Sequence, residues 1–81
     1  MEVIIMQETV LEILEEICED SVVREDLDID LFESDLMDSL GFAEMLVSIE
    51  DQLGIVIAPS EVERSDINTP NKILALVASR S

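Results

Sequence analysis

The chain has 81 residues, with four Lys and Arg against 20 Asp and Glu, so its formal net charge at neutral pH is −16. This length accommodates one small domain, and the charge excludes nucleic acid and anionic membranes as natural partners because their phosphates would repel it. The lack of His and the single Cys exclude a zinc cluster, a Cys–His pair and a disulfide framework within the chain. A hydrophobic content of 48% nevertheless predicts a packed core.

Neither a membrane span nor a secretion signal is expected. The longest apolar run, residues 73–78, has six residues, far short of the roughly 20 needed to cross a bilayer, and no basic segment precedes the apolar run near the start of the sequence. We therefore expect a cytoplasmic protein whose residues 1–81 form one domain. Its acid is concentrated in the front half, because residues 1–40 carry fourteen acidic residues and a single base, Arg24.

The first predicted element is an amphipathic helix over residues 3–19, where apolar residues recur with the period of a helix. Its apolar face comprises Met6, Val10, Leu11, Ile13, Leu14, Ile17 and Cys18. The opposite arc comprises Glu8, Glu12, Glu15, Glu16 and Glu19, with Ile5 as the one apolar exception. We interpret this acidic arc as a solvated face, which each like-charge i,i+4 pair destabilises by roughly 0.2–0.5 kcal/mol.

Residues 20–38 lack sustained periodicity and are predicted to form a long loop. Four apolar residues could anchor it onto the helices: Leu27, Ile29, Leu31 and Phe32. The series Asp26, Asp28 and Asp30 invites comparison with a calcium loop, which needs Gly at its sixth position and Glu at its twelfth. This chain has Leu31 and Met37 there, so no specific metal site is predicted.

The second long helix is predicted over residues 39–53 and ends at Gly54, a residue suited to a helix C-terminus. Its core row comprises Phe42, Met45, Leu46, Ile49 and Leu53. A second row, here named the outer strip, consists of Leu40, Ala43 and Val47, with Glu44, Glu50 and Asp51 beside it. Two interpretations remain open: a helix buried on two sides, or a face that docks onto a basic partner.

The remaining residues predict a buried loop segment, a short third helix and a last helix. Residues 55–57 are β-branched, but Pro59 follows and no second strand is available to pair with them. Ser60 to Glu63 form a capping-box pattern that would open the short helix. Thr69 is predicted to cap the last helix and Pro70 to be its first residue. The expected architecture is an all-α, four-helix bundle with a long first loop and a short third helix.

The tripeptide Asp38-Ser39-Leu40, where the loop meets the second long helix, is the one conspicuous position for chemistry. Alone it is a short motif with a high false-positive risk, and serine there is usually a helix cap. In the predicted order of elements, however, nearly the whole chain resembles the acyl carrier protein family. The resemblance implies that Ser39 carries 4′-phosphopantetheine, in a motif formed with Asp38 and Leu40, and that Asp38 helps to present Ser39 to a phosphopantetheinyl transferase.

A second match narrows the resemblance. Residues 61–64 (Glu-Val-Glu-Arg) and 68–73 (Asn-Thr-Pro-Asn-Lys-Ile) look like the C-terminal signature of D-alanyl carrier proteins. This implies D-alanine as a thioester-bound cargo, a D-alanine–carrier protein ligase as a partner, and delivery to the membrane D-alanyl transfer machinery for lipoteichoic acid. It also implies the partner-facing residues Ala43, Glu44, Val47, Glu50 and Asp51.

Other functions remain open from the sequence. The cargo could instead be a fatty acyl, polyketide or aminoacyl group. The acidic series in the loop also motivates a different class, an unmodified acidic adaptor or divalent-ion binder. Because no nucleophile–base pair, carboxylate pair in a cleft or metal cluster is recognisable, we expect a non-catalytic protein, and we expect it to be a monomer.

Overall fold

A computed structural model describes the backbone of residues 3–80 and the side chains of residues 5–80. Its helices are α1 (Val3–Cys18), α2 (Val22–Glu25), α3 (Ser39–Leu53) and α4 (Pro70–Arg80), with 3₁₀ turns at Pro59–Glu61 and Arg64–Asp66. Residues 3–80 contain no strand, and the predicted all-α class is confirmed. The central element is α1, which packs against each of the other three helices.

The core forms on the apolar face predicted for the first helix. Met6, Val10, Ile13 and Leu14 are buried, and Ile17 and Cys18 pack against the cluster from its edge. The exception in the pattern, Ile5, is 55% exposed. The rest of the buried cluster consists of Val23, Leu31, Met37, Met45, Leu46, Ile49, Ile55, Ile57, Ile67, Ile73 and Val77.

The one-turn helix α2 interrupts the predicted first loop. Its Val23 is fully buried, while Arg24 lies 2.7 Å from Glu8 Oε1 and 3.4 Å from Glu15 Oε1. The only base of the front half therefore ties α2 to the acidic arc and offsets part of its like-charge repulsion. Four residues carry too little periodicity for such a helix to be predicted from the sequence.

The loop that follows is anchored by Leu31, as predicted. Its side chain is fully buried, and its N–H donates to the Asn68 carbonyl at 2.7 Å. Its own carbonyl accepts from the N–H groups of Leu36 at 3.0 Å and Met37 at 2.9 Å. The other predicted anchors, Leu27, Ile29 and Phe32, are partly buried. This anchor fixes the backbone immediately before residues 38–40.

Two asparagines bind the acidic series to the start of α4. Asn68 Nδ2 donates to Asp30 Oδ2 at 3.0 Å, and Asn71 Nδ2 donates to Asp28 Oδ1 at 2.8 Å. Asp26 Oδ1 accepts from the Asp28 N–H at 3.1 Å. The three aspartates thus stabilise turns and a long-range contact. Within the described residues, no group of three or more His, Cys, Asp or Glu side chains is arranged to hold a metal ion.

We expect Asp30 to make stability depend on pH. Hydrogen bonds from the N–H of Glu33, the Asn68 amide and the N–H of Phe32, with the charge of Lys72, hold the pKa of Asp30 below its ordinary value of 3.8. A carboxyl group with a lowered folded-state pKa stabilises the fold above its unfolded pKa, and this stability is lost as the pH falls through the folded value. Asp30→Asn should therefore be less stable than wild type at pH 7, and the difference should narrow as the pH falls below 3.8.

Urea unfolding at pH 7 and pH 3 measures this difference. The control is Asp51→Asn, which removes the same charge from an exposed position on α3. It should relieve repulsion and cause no loss of stability at pH 7. Equal behaviour of the two variants at both pH values would contradict a stabilising role for the Asp30 hydrogen bonds.

The predicted short third helix is present as two separate 3₁₀ turns, Pro59–Glu61 and Arg64–Asp66, and not as one continuous helix. Glu61 Oε2 accepts from the Ala58 N–H at 3.2 Å, so this carboxylate closes the first turn instead of extending a helix. Asp66 Oδ2 accepts from the Glu63 N–H at 2.9 Å and closes the second. Between the turns, Val62 takes an extended backbone (φ −129°, ψ 148°) and packs against the core, which breaks the helix.

The other predicted boundaries are confirmed. Gly54 has a left-handed backbone at φ 69° and its N–H donates to the Glu50 carbonyl at 2.9 Å. Thr69 Oγ1 accepts from the Lys72 N–H at 3.1 Å, with Pro70 as the first residue of α4. The segment 55–57 is a loop whose two isoleucines are buried, but Val56 is 64% exposed, so the prediction that this segment is buried holds for two of its three residues.

Candidate functional site

Ser39 is the first residue of α3, and its neighbour Asp38 caps the helix. Asp38 has an extended backbone, its Oδ1 accepts from the Gly41 N–H at 2.8 Å, and its carbonyl accepts from the Phe42 N–H at 2.9 Å. Because Asp38 performs the capping that a serine often performs, the exposed Ser39 hydroxyl forms no hydrogen bond within the described residues. The hydroxyl is therefore available for chemistry.

Gly41 places the first turn of α3 close to α1. It is buried, and a Cβ on it would lie 3.0 Å from Ile17 Cγ2 and 3.3 Å from Met37 Cγ. Such a contact is tighter than ordinary packing, so glycine permits the close approach. Gly41 has no role predicted from the sequence, although a glycine within the first turn of an amphipathic helix is an unusual choice that costs helix propensity.

The outer strip faces solvent. Leu40 is 69% exposed and Val47 is 58% exposed, and Ala43 is exposed as well. The interpretation of this helix as buried on two sides is therefore wrong, while the core row enters the core as predicted through Met45, Leu46 and Ile49. Glu44, Glu50 and Asp51 are exposed beside the strip. Leu40 is the residue next to Ser39, so the strip begins at the available hydroxyl.

Two open grooves flank the outer strip. The α1-side groove, of about 620 Å³, lies between the end of α1 and α3 and is lined by Glu16, Ile17, Glu19, Ala43, Glu44, Val47 and Ser48. The loop-side groove, of about 300 Å³, is lined by Ala43, Leu46, Val47, Glu50, Val56, Ile57, Ala58 and Pro59. The α1-side groove contains three glutamates and the loop-side groove contains one. The outer strip between them therefore has an acidic side and an apolar side.

The basic side chains lie elsewhere and are engaged within the molecule. Besides Arg24, which contacts α1, Arg80 lies 3.0 Å from Glu61 Oε2 and Lys72 Nζ donates to the Ser65 carbonyl at 2.8 Å. The guanidinium of Arg64 lies 4.6 Å from the centroid of the Phe32 ring. Since the chain has only four Lys and Arg, the acids beside the outer strip have no basic neighbour in either groove.

The chain's own thiol is poorly suited to chemistry. Cys18 is partly buried and packs against the core. Burial, with a smaller contribution from the charge of Asp20, raises the pKa of Cys18 to about 11. It therefore stays protonated at neutral pH, whereas the thiolate is the reactive form of cysteine. Cys18 is therefore a poor candidate for holding a thioester.

Within residues 3–80, no helix combines the length and the apolar character needed to span a membrane.

Comparison with known families identifies the class of protein. A family model for a phosphopantetheine attachment site matches residues 8–77. This range includes all of α3 and the tripeptide Asp38-Ser39-Leu40 at its start. Together with the all-α fold, this match identifies a carrier protein whose covalent cofactor is 4′-phosphopantetheine.

Individual relatives narrow the family. The D-alanyl carrier protein of Abiotrophia defectiva is 55% identical over 75 residues, which are 93% of this chain and 95% of that protein. The D-alanyl carrier proteins of Bacillus velezensis and Bacillus subtilis are 43% and 41% identical over 68 residues, which are 84% of this chain and 87% of each relative. The chain belongs to the D-alanyl carrier protein family.

The start of α3 fits the cofactor. The arm is a phosphodiester on a serine, which requires an exposed hydroxyl without competing hydrogen bonds, and Ser39 meets both conditions. The first turn of a helix leaves backbone N–H groups unsatisfied, and with the positive end of the helix dipole they favour an anion. When bound, the cofactor supplies the thiol on which a cargo is held as a thioester. Membership of a carrier family is consistent with a non-catalytic role.

The structure brings together two of the predicted sets. Asp38, Ser39 and Leu40 are adjacent at the start of α3, and Ala43, Glu44, Val47, Glu50 and Asp51 are all exposed along the same helix. Glu16 and Glu19, at the end of α1, also line the α1-side groove and were not predicted to belong to the site.

Proposed function

We propose that Ser39 carries 4′-phosphopantetheine and that the arm holds D-alanine as a thioester, for the D-alanylation of lipoteichoic acid. The observation that carries this proposal is the exposed and unbonded Ser39 hydroxyl at the start of α3, inside the segment that matches the phosphopantetheine attachment family. The names of the relatives support D-alanine as the cargo.

Asp38 and Leu40 have distinct roles in this proposal. By accepting from the Gly41 N–H at 2.8 Å, Asp38 fixes the first turn of α3 and leaves the serine hydroxyl free for the phosphopantetheinyl transferase. Leu40, 69% exposed, offers an apolar contact beside the modified residue. Loss of the cap would loosen the first turn at a cost of about 1 kcal/mol.

The partner enzymes dock onto α3. Ala43 and Val47 supply apolar contacts, and Glu44, Glu50 and Asp51 attract basic side chains. The charges therefore determine which partner binds, and the apolar contacts stabilise the complex. The partners are the phosphopantetheinyl transferase and the D-alanine–carrier protein ligase. We further propose that residues 1–81 form one carrier domain that works as a monomer in the cytoplasm and delivers its cargo to the membrane D-alanyl transfer machinery.

The cargo is tested by offering the phosphopantetheine-loaded protein to a D-alanine–carrier protein ligase with ATP. D-alanine should be captured in a form that hydroxylamine releases, as a thioester requires, and L-alanine should be captured far less. The apo protein is the control, because Cys18 has a pKa raised to about 11 and should not accept the cargo.

If the loaded protein gains no D-alanyl thioester, the D-alanine proposal is wrong. Capture of a fatty acyl, polyketide or other aminoacyl group by the same loaded protein, with each group offered together with an enzyme that activates it, would then establish the alternative cargo.

A further inference from the structure

We infer that the docking surface for the phosphopantetheinyl transferase crosses from α3 onto the end of α1, where the α1-side groove receives a basic segment of that enzyme. The inference rests on the proposed function of Ser39 and extends it to residues outside α3. It assigns Glu16 and Glu19 to partner binding, although the sequence alone favours a solvated face for the whole acidic arc.

The α1-side groove adjoins the surface that the transferase must cover. It shares Ala43 and Val47 with the outer strip, and the strip begins at Leu40, beside Ser39. An enzyme that covers the strip to reach the serine hydroxyl therefore also covers the mouth of the groove. The opposite wall is formed by Glu16, Ile17 and Glu19.

The acidic arc of α1 consists of two parts in the structure, one paired with a basic residue and one unpaired. Glu8 and Glu15 face Arg24, at 2.7 and 3.4 Å. Glu16 and Glu19 have no ion pair in the described residues and line the groove together with Glu44 of α3. One part of the arc is used to hold α2, and the other part is free to attract a cation.

The shape and lining of the groove define the occupant. Its apolar contacts are Ile17, Ala43 and Val47, and its charged groups are three glutamates. Lys and Arg combine a long apolar stem with a cationic head, so their stems can lie on the apolar contacts while their heads reach the carboxylates. The loop-side groove holds one glutamate among apolar residues and suits an apolar side chain. The partner segment is therefore basic on its α1 side and apolar on the other.

The backbone conformation of Glu19 determines which substitution tests this side chain best. It follows the last residue of α1 and has φ 54°, a left-handed conformation at a position where glycine is favoured. Glycine adopts this conformation without strain, so Glu19→Gly removes the side chain without an expected loss of stability.

The test measures KM and kcat of a phosphopantetheinyl transferase for the apo protein and its variants at low ionic strength. Glu16→Gln and Glu19→Gly should each raise KM about threefold, and the double variant about tenfold. The matched control is Glu12→Gln, which removes the same charge one turn earlier on α1 from an exposed position that does not line the groove. Its KM should change by less than about twofold, and kcat should be unchanged in all variants because Ser39 is intact.

Thermal unfolding separates docking from a structural role. Glu19→Gly relieves the left-handed conformation, so its Tm should equal or exceed that of wild type while its KM rises. The rise should disappear at high salt, which screens exposed charges.

The inference is overturned if Glu16→Gln and Glu19→Gly have the same KM as Glu12→Gln while wild type is modified normally; the proposed function then stands. A KM that rises only together with a fall in Tm would also overturn it. If wild type itself is not modified, the proposed function fails and the inference fails with it.

Discussion

Replacing Leu31 with alanine is expected to lower the free energy of unfolding by about 2–5 kcal/mol. The side chain is fully buried in the centre of the core, so truncation leaves a cavity that the surrounding helices fill only in part. Its backbone joins Asn68 to Leu36 and Met37, so relaxation around the cavity is expected to disturb the chain just before Ser39. In a domain of this size such a loss is a large share of the total stability. Urea unfolding followed by circular dichroism measures it.

The control for this variant is Leu40→Ala, the same substitution at a side chain that is 69% exposed. Its unfolding free energy should stay within about 0.5 kcal/mol of wild type, although we expect it to weaken reactions with partner enzymes. Similar losses at both positions would contradict the burial on which the fold depends.

Replacing Asn68 with aspartate is expected to cost about 1–3 kcal/mol at neutral pH. The change keeps the shape of the side chain but removes the donor that binds Asp30 Oδ2 at 3.0 Å. It also places a second carboxylate beside the first in a partly buried contact, where like charges repel strongly. Since Asn68 Oδ1 is already buried without a hydrogen-bond partner in the described residues, the site has little capacity to absorb a further unsatisfied group.

Asn71→Asp is the matched comparison, because it adds the same charge and removes a similar bond to Asp28. That contact is exposed, and we expect a cost of less than about 1 kcal/mol. The same unfolding titration compares the two variants. A greater loss for Asn71→Asp would show that the acidic loop is held mainly by the exposed contact and not by Asn68.

Much of the helical architecture is predictable from local patterns. The period of the apolar residues predicts α1 and α3, and Gly54 and Thr69 mark helix boundaries through backbone conformation and capping, which involve neighbouring residues only. The errors lie where local patterns are short or where distant residues decide. The helix α2 has only four residues, and Val62 packs against the core and breaks the expected third helix into two turns.

The contacts between Asn68 and Asp30 and between Asn71 and Asp28 join residues 38 and 43 positions apart. No periodicity relates them, so the C-terminal signature could be interpreted from the sequence only by resemblance and capping. The structure adds the physical reason for both asparagines, which hold the acidic loop against α4.

The candidate site was predictable only where local patterns in the sequence determine it. The position of Ser39 at a helix start follows from the motif and the period of α3. Whether the outer strip is covered depends on how α1 and the loop after α3 pack, and a helical wheel contains no information on that packing. The groove with Glu16 and Glu19 likewise requires the crossing of two helices, since its walls come from different elements.

The central claim is that Ser39 carries the arm, and peptide mapping after incubation with coenzyme A and a phosphopantetheinyl transferase tests it most directly. The wild-type protein should gain the mass of one phosphopantetheine on the peptide that contains Ser39. Ser39→Ala should gain none, and Ser60→Ala, which removes an exposed hydroxyl from the first 3₁₀ turn, should be loaded as wild type is. A wild-type protein that stays unmodified, or a Ser39→Ala variant that still acquires the arm, would contradict the account.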